Sequence, residues 1–233
     1  MWCLGTGTSV SDTDMSADAF IFMGGTFDPI HNGHLRTALE IKEWAGVEQV
    51  YLMPARAPVH KQAPGRTSEQ RLMMVKQAVQ NEAGLNADER EIRTEQPSYS
   101  LLTLQSLREE FGPDRPICMV MGMDSYQTLP SWHGWHQFTD YAHLIVVKRP
   151  GYELPEEEVI AEFTQQHKTE KLEDLFSTAA GRVIFHELTP LGISATQIRG
   201  IISRGESARY LLPDSVYQFI LENRLYGLDD KQG

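Results

Sequence analysis

Short apolar runs alternate with amphipathic stretches from Ala19 onward, and this alternation constrains the fold of the chain more than any other feature. The strand candidates are Phe20-Ile21-Phe22-Met23, Val50-Tyr51-Leu52-Met53, Glu91-Ile92-Arg93, Ile117 to Met121, His143 to Val147 and Val183-Ile184-Phe185. Helix-like stretches separate or follow them: His34 to Trp44, Ser68 to Asn81, Ser100 to Phe111, Ser194 to Ser203 and Pro213 to Asn223. The first, fourth and fifth runs are apolar almost throughout, as strands covered on both faces tend to be. Such alternation predicts right-handed βαβ crossovers and an α/β fold, a parallel sheet with helices on both faces. Thr67-Ser68-Glu69-Gln70 reads as a capping box opening the second helix.

A chain of 233 residues holds one such domain with a full core. The expected boundaries are 18–228 for the domain, with a disordered Gly/Thr/Ser/Asp-rich leader over 1–17 and a tail over 229–233. Met15, just before the first strand, is an alternative translation start. Pro150 to Ser177 is acidic and polar and reads as a helical surface insertion, and 194–226 as a small helical C-terminal part.

Twenty-one basic against 32 acidic residues give a net charge of −11, which argues against a nucleic-acid binder because such a surface repels phosphate backbones. A small nucleotide stays possible, since it needs only a local basic site with a metal ion. Cys118 lies in an apolar run and reads as a buried small hydrophobe. Cys3 lies in the leader, so no disulfide is expected and a reducing cytoplasm fits. No apolar stretch approaches the roughly 18–20 residues that span a bilayer, and the N-terminus lacks the order of a signal peptide.

The segment Gly24-Gly25-Thr26-Phe27-Asp28-Pro29-Ile30-His31-Asn32-Gly33-His34-Leu35 follows an apolar strand and leads into a helix, where open parallel sheets bind ligands. Gly24 and Gly25 allow a sharp turn and close approach of a ligand, and Pro29 suits helix entry. His31 and His34 fall on one side of the first helical turn, with Gly33 removing bulk between them. Unpaired amides at that start plus two imidazoles would form a donor-rich anion site. A zinc pair is the rival reading, but no Cys or third His has suitable spacing. Neither GxGxxG nor GxxxxGK[ST] is present.

Farther along, Ser194 and Thr196 stand at a helix start with Arg199 near the end of its first turn, offering hydroxyls and a guanidinium to a phosphate. The plain alternative is an ordinary N-cap with a solvated arginine. Gly122-Met123-Asp124-Ser125 ends an apolar strand, where a carboxylate suits ribose hydroxyls or a helix cap. Trp132 and His133 lie in Ser131-Trp132-His133-Gly134-Trp135; one indole makes an aromatic platform, and Trp135 reads as packing. Pro54-Ala55-Arg56-Ala57-Pro58-Val59-His60-Lys61 is turn-rich and basic, as a phosphate-facing loop would be.

The first segment resembles the GGTFDPxHxGH signature of the nucleotidyltransferase superfamily, particularly bacterial nicotinate-nucleotide adenylyltransferases. Ile193-Ser194-Ala195-Thr196-Gln197-Ile198-Arg199 resembles that family's ISxTxIR element, and the likeness runs from Phe20 to Tyr226. Pro97-Ser98-Tyr99-Ser100 resembles its PSYT segment. Pro54 to Lys61 resembles PNxxPPH[KR], with Ala55 for a common Asn and Val59 for Pro.

The resemblance implies a Rossmann-like doubly wound parallel sheet. It also implies transfer of the adenylyl group of ATP to nicotinate mononucleotide, giving nicotinate adenine dinucleotide and pyrophosphate in NAD biosynthesis. ATP would meet Gly24, Gly25, Thr26, Phe27, His31, His34, Gly122, Asp124, Ser194, Thr196 and Arg199, with His31, His34 and Arg199 catalytic. The nicotinate nucleotide would meet Gly25, His60, Lys61, Tyr99, Ser100, Trp132 and His133. Mg²⁺ would be held mainly by substrate phosphates, with no protein metal site. The expected state is a cytoplasmic monomer or homodimer with no nucleic-acid or membrane partner. The alternatives are a related adenylyl- or cytidylyltransferase taking nicotinamide mononucleotide or phosphopantetheine, or a non-catalytic nucleotide sensor.

Overall fold

The computed structural model describes residues 18–56, 66–94, 97–148, 157–189 and 191–227. In chain order its elements are β1 (Phe20–Gly25), α1 (Asn32–Ala45), β2 (Val50–Pro54), α2 (Ser68–Val79), β3 (Leu85–Ala87), α3 (Arg90–Arg93) and α4 (Ser100–Phe111). The second half adds β4 (Ile117–Gly122), α5 (Met123–Gln127), α6 (Phe138–Tyr141), β5 (His143–Lys148), α7 (Glu158–His167), β6 (Lys168–Thr169), α8 (Glu173–Ser177), β7 (Val183–Glu187), α9 (Ala195–Ser203) and α10 (Asp214–Glu222).

The strands form one sheet in the order β3-β2-β1-β4-β5-β7-β6, with every pair parallel. The chain winds outward from β1 through β2 to β3, then returns to the other side of β1 with β4. Strand order therefore reverses between β1 and β4, and the C-terminal ends of strands at such a switch point are the binding position of open α/β sheets.

The alternation of β1 divides the core. Ile21 and Met23 join one buried cluster with Ile41 of α1, Val75 of α2, Ile198 of α9 and Ile220 of α10. Phe20 and Phe22 join the other with Leu104 of α4, Tyr126 of α5, Phe138 of α6 and Ile160 of α7. Both faces of the sheet are covered, so the fold is the doubly wound, Rossmann-like one. The capping box forms as read: the Gln70 amide donates to Thr67 Oγ1 at 3.2 Å and the Thr67 amide to Gln70 Oε1 at 3.1 Å.

Two expectations need correction. Glu91-Ile92-Arg93 is not a strand but lies in α3, and the third strand is β3, with Leu85 buried. Ile92 is buried among exposed or half-buried neighbours. One buried residue in three fits either period, so the pattern there is ambiguous. Residues 157–177, within the expected surface insertion, are also structural: β6 pairs with β7, and Ile160 and Leu175 are fully buried. Cys118 is buried as expected, and burial pushes its thiol up to about 12. Cys3 lies outside the described residues.

His143 opens β5 fully buried. Its Nδ1 accepts from the Arg182 amide at 3.1 Å, so Nε2 carries the proton and donates to the Thr178 carbonyl at 2.8 Å. Burial lowers its pKa from 6.5 to about 4. The unfolded chain takes up this proton at higher pH than the folded one, so the group's stabilisation is full above 6.5 and is lost as pH falls through 4. Tm should decline across that window, and the decline should be shallower in His143→Gln. Parallel Tm–pH profiles for the two proteins would contradict this.

Candidate active site

The loop from β1 into α1 leaves the sheet at this switch point. Gly24 and Gly25 end the strand without a left-handed turn; Gly25 is needed instead because a Cβ there would lie 2.8 Å from the Phe27 ring. Phe27 takes φ +49° and is buried, a conformation costing roughly 1–2 kcal/mol for a residue with a Cβ. Its ring meets His34 edge-on, with centroids 5.0 Å apart.

His31 is the N-cap of α1 and His34 stands one turn on, their rings stacked with centroids 3.6 Å apart. The His31 amide donates to His34 Nδ1 at 3.3 Å. That bond fixes the neutral His34 tautomer with its proton on Nε2. Gly33 is required by contact: a Cβ would sit 3.0 Å from His31 Nδ1 and 3.6 Å from the Ile193 carbonyl. His31 is 5% exposed, its Nδ1 has no hydrogen-bond partner among the described residues, and burial lowers its pKa to about 4. It is therefore neutral near pH 7.

The helix-start amides differ from expectation. Those of Asn32 and His34 donate to the Leu211 and His31 carbonyls, both at 2.9 Å, and that of His31 to the His34 ring. The Asn32 amide is taken up because the C-terminal part folds against the start of α1, while the other two are satisfied within the first turn itself. The imidazoles remain as candidate donors for an anion.

Arg199 arrives from α9, 171 residues from the loop it joins. Its Nη1 donates to the Asp28 carbonyl at 2.8 Å and its Nη2 to Thr196 Oγ1 at 3.2 Å. It is held against the loop, not freely solvated, and these bonds leave the rest of its five N–H donors for a ligand. Ser194 does cap α9, accepting from the Gln197 amide at 3.2 Å.

Gly122, not Asp124, is the N-cap of α5; Asp124 is exposed in its first turn. A Cβ at Gly24 or Gly122 would meet open space at the ends of the adjacent β1 and β4. On the other flank, the His133 ring lies 4.8 Å from the Tyr99 ring, joining the SWH and PSYS segments. Ser100 begins α4 beside Tyr99. Trp132 is half-buried against Phe138, while Trp135 packs on Phe163, as read from sequence. His60 and Lys61 lie outside the described residues.

The sequence reading missed Asp28, Arg71 and Tyr226. Tyr226 donates to Asp28 Oδ1 at 2.7 Å, and Arg71 is fully buried beneath the loop. Arg71 adjoins the apolar stripe Leu72, Val75 and Val79 of α2, a signal for burial; Tyr226 carried none. Surface cavities of about 370 Å³ beside Trp44 and His186 and about 360 Å³ between α3 and α4 lie away from the histidine pair. Among the described residues no group of three or more His, Cys, Asp or Glu could hold a metal ion, and no helix is long and apolar enough to cross a membrane.

A strand-to-helix loop with paired histidines is met here by an arginine from a distant helix, at the switch point of a parallel sheet. Residues 22–201 match the family described as Cytidylyltransferase-like. A probable nicotinate-nucleotide adenylyltransferase of Marinomonas sp. (strain MWYL1) is 45% identical over 204 residues, 88% of this chain and 92% of its own. Its counterpart in Aeromonas salmonicida (strain A449) is 44% identical over 207 residues, 89% of this chain and 96% of its own. This chain belongs to the nicotinate-nucleotide adenylyltransferase family, within the cytidylyltransferase-like nucleotidyltransferases. In fold it matches the Plasmodium falciparum nicotinic acid mononucleotide adenylyltransferase complexed with NaAD, with a TM-score of 0.65 at 17% identity, covering 91% of this chain and 98% of that one.

The contact at Gly33 has a readout independent of turnover. His31 should titrate near 4 in the native protein, and Gly33→Ala, which displaces its ring, should move it toward 6.5. NMR titration of the imidazole resonances checks this. A native value already near 6.5 would contradict the burial.

Proposed function

We propose that this chain transfers the adenylyl group of ATP to the phosphate of nicotinate mononucleotide, releasing pyrophosphate and forming nicotinate adenine dinucleotide for NAD biosynthesis. The carrying observation is the convergence of the stacked His31–His34 pair and Arg199 on one loop, two motifs far apart in sequence. The relatives' names support the choice of acceptor.

The mononucleotide phosphate attacks the α-phosphorus of ATP in line, and the bond to pyrophosphate breaks. Catalysis of such a step is mostly positioning and stabilisation of charge on phosphoryl oxygens. His34 donates through Nε2–H to an oxygen at the reacting end, in the tautomer its Nδ1 contact enforces. His31, neutral and buried beneath it, supports that geometry and reaches the same phosphates. Arg199 offers its uncommitted N–H groups to the departing pyrophosphate. Thr26, Phe27, Gly24, Gly25, Gly122 and Asp124 shape the ATP side, with Ser194 and Thr196 at the start of α9. Mg²⁺ would enter with ATP as part of the substrate and would offset phosphate charge.

Trp132 provides the stacking face for the pyridine ring, with Tyr99, Ser100 and His133 around its carboxylate. A carboxylate differs from a carboxamide by one oxygen in place of nitrogen, so donors at that position set selectivity. The acidic surface fits an enzyme of small molecules and not a nucleic-acid binder.

Pyrophosphate release with nicotinate and nicotinamide mononucleotides, compared side by side, should favour the nicotinate substrate. Equal or reversed rates would overturn the acceptor. His34→Ala should lower kcat by roughly 10²–10³-fold, the usual cost of one transition-state donor. Trp132→Ala should raise KM for the pyridine nucleotide and leave that for ATP nearly unchanged; equal rises in both would remove the stacking role.

A further inference from the structure

The ladder between β1 and β2 closes with Gly25 opposite Pro54, and the Ala55 amide still donates to the Gly25 carbonyl at 2.9 Å. One step farther, the chains present two acceptors, the carbonyls of Thr26 and Arg56. Two carbonyls cannot bond each other; a forked donor can join them. Arg71 of α2 does so, with Nη1 on the Thr26 carbonyl at 2.7 Å and Nη2 on the Arg56 carbonyl at 2.8 Å.

Arg71 is fully buried; burial lowers its pKa, and the Asp28 carboxylate partly offsets that. Removing a guanidinium from water is expensive, and an apolar side chain on this face of α2 would pack at lower cost. The Asp28 carboxylate, also buried, accepts from Tyr226, and the Asp28 carbonyl accepts from Arg199. Thus three side chains from α2, α9 and the segment after α10 hold three acceptors in Thr26 and Asp28. Between those residues lies Phe27 in its left-handed conformation. A strained residue persists only where its surroundings over-determine it.

We propose that Arg71 and Tyr226 are positioning residues for the transfer reaction: they clamp the 26–28 loop and so set where the His31–His34 pair meets the reacting phosphates. Neither touches substrate. Their effect falls on kcat, because a displacement of about 1 Å in such a pair costs up to ~10²-fold in rate without removing substrate contacts. Arg71 acts as a fork; Lys keeps the charge but supplies one point of donation where two diverging carbonyls must be joined.

The clamp rests on the proposed reaction, and the experiment separates the two. Wild-type protein, R71K, R71M and Y226F are compared in pyrophosphate release, with circular dichroism and melting used to assay each below its transition. Y226F removes one hydroxyl and keeps the ring, so it serves where R71M does not fold. The expected result is kcat lowered at least 10-fold in R71K and at least 5-fold in Y226F, with KM for both substrates within about threefold. R71M, where folded, falls below R71K. In Y226F, kcat within twofold of wild type overturns the clamp, as does a loss wholly accounted for by unfolded protein. A wild-type chain that releases no pyrophosphate refutes the proposed reaction instead.

Discussion

Asp28 joins the parts of this molecule that make up its candidate site. Its carbonyl receives Arg199 from α9, and its carboxylate receives Tyr226 from beyond α10. Both groups are needed because the loop after β1 ends a parallel strand and has no further ladder to hold it. The left-handed Phe27 lies directly beside that anchorage, one residue before Asp28. Losing Tyr226 would take a hydrogen bond from a buried carboxylate and loosen the loop.

Burial keeps two histidines of this chain neutral. His31 and His143 are both held near a pKa of 4 by desolvation, for different ends. His143 satisfies both ring nitrogens with backbone groups and locks the start of β5. His31 leaves Nδ1 without a partner among the described residues, at the junction of the two motifs. A satisfied buried imidazole is architecture; an unsatisfied one calls for a separate explanation.

Much of the fold was legible because long apolar strands and capped amphipathic helices state their period clearly. Phe20 to Met23, Ile117 to Met121 and the Thr67–Gln70 box are of this kind. The misread strand at Glu91 to Arg93 and the unforeseen β6 are short, with too few side chains to fix a period. The candidate site was legible as residue types: histidines around a glycine, a distant arginine and a tryptophan near a histidine. Which donors remain available was not, since the Asn32 amide finds its acceptor in Leu211 only once the C-terminal part docks.

By itself the sequence determined the parallel α/β alternation and the two phosphate-directed motifs, because these are local patterns of polarity, turn residues and spacing. Tertiary structure alone decided that the motifs meet, that His34 carries its proton on Nε2, and that Arg71 and Tyr226 belong with them. Those facts rest on contacts between residues as far apart as Asp28 and Tyr226, 198 positions along the chain. No local pattern encodes such a contact; it forms only when the crossover between β1 and β4 and the docking of the C-terminal helices bring the chain back on itself.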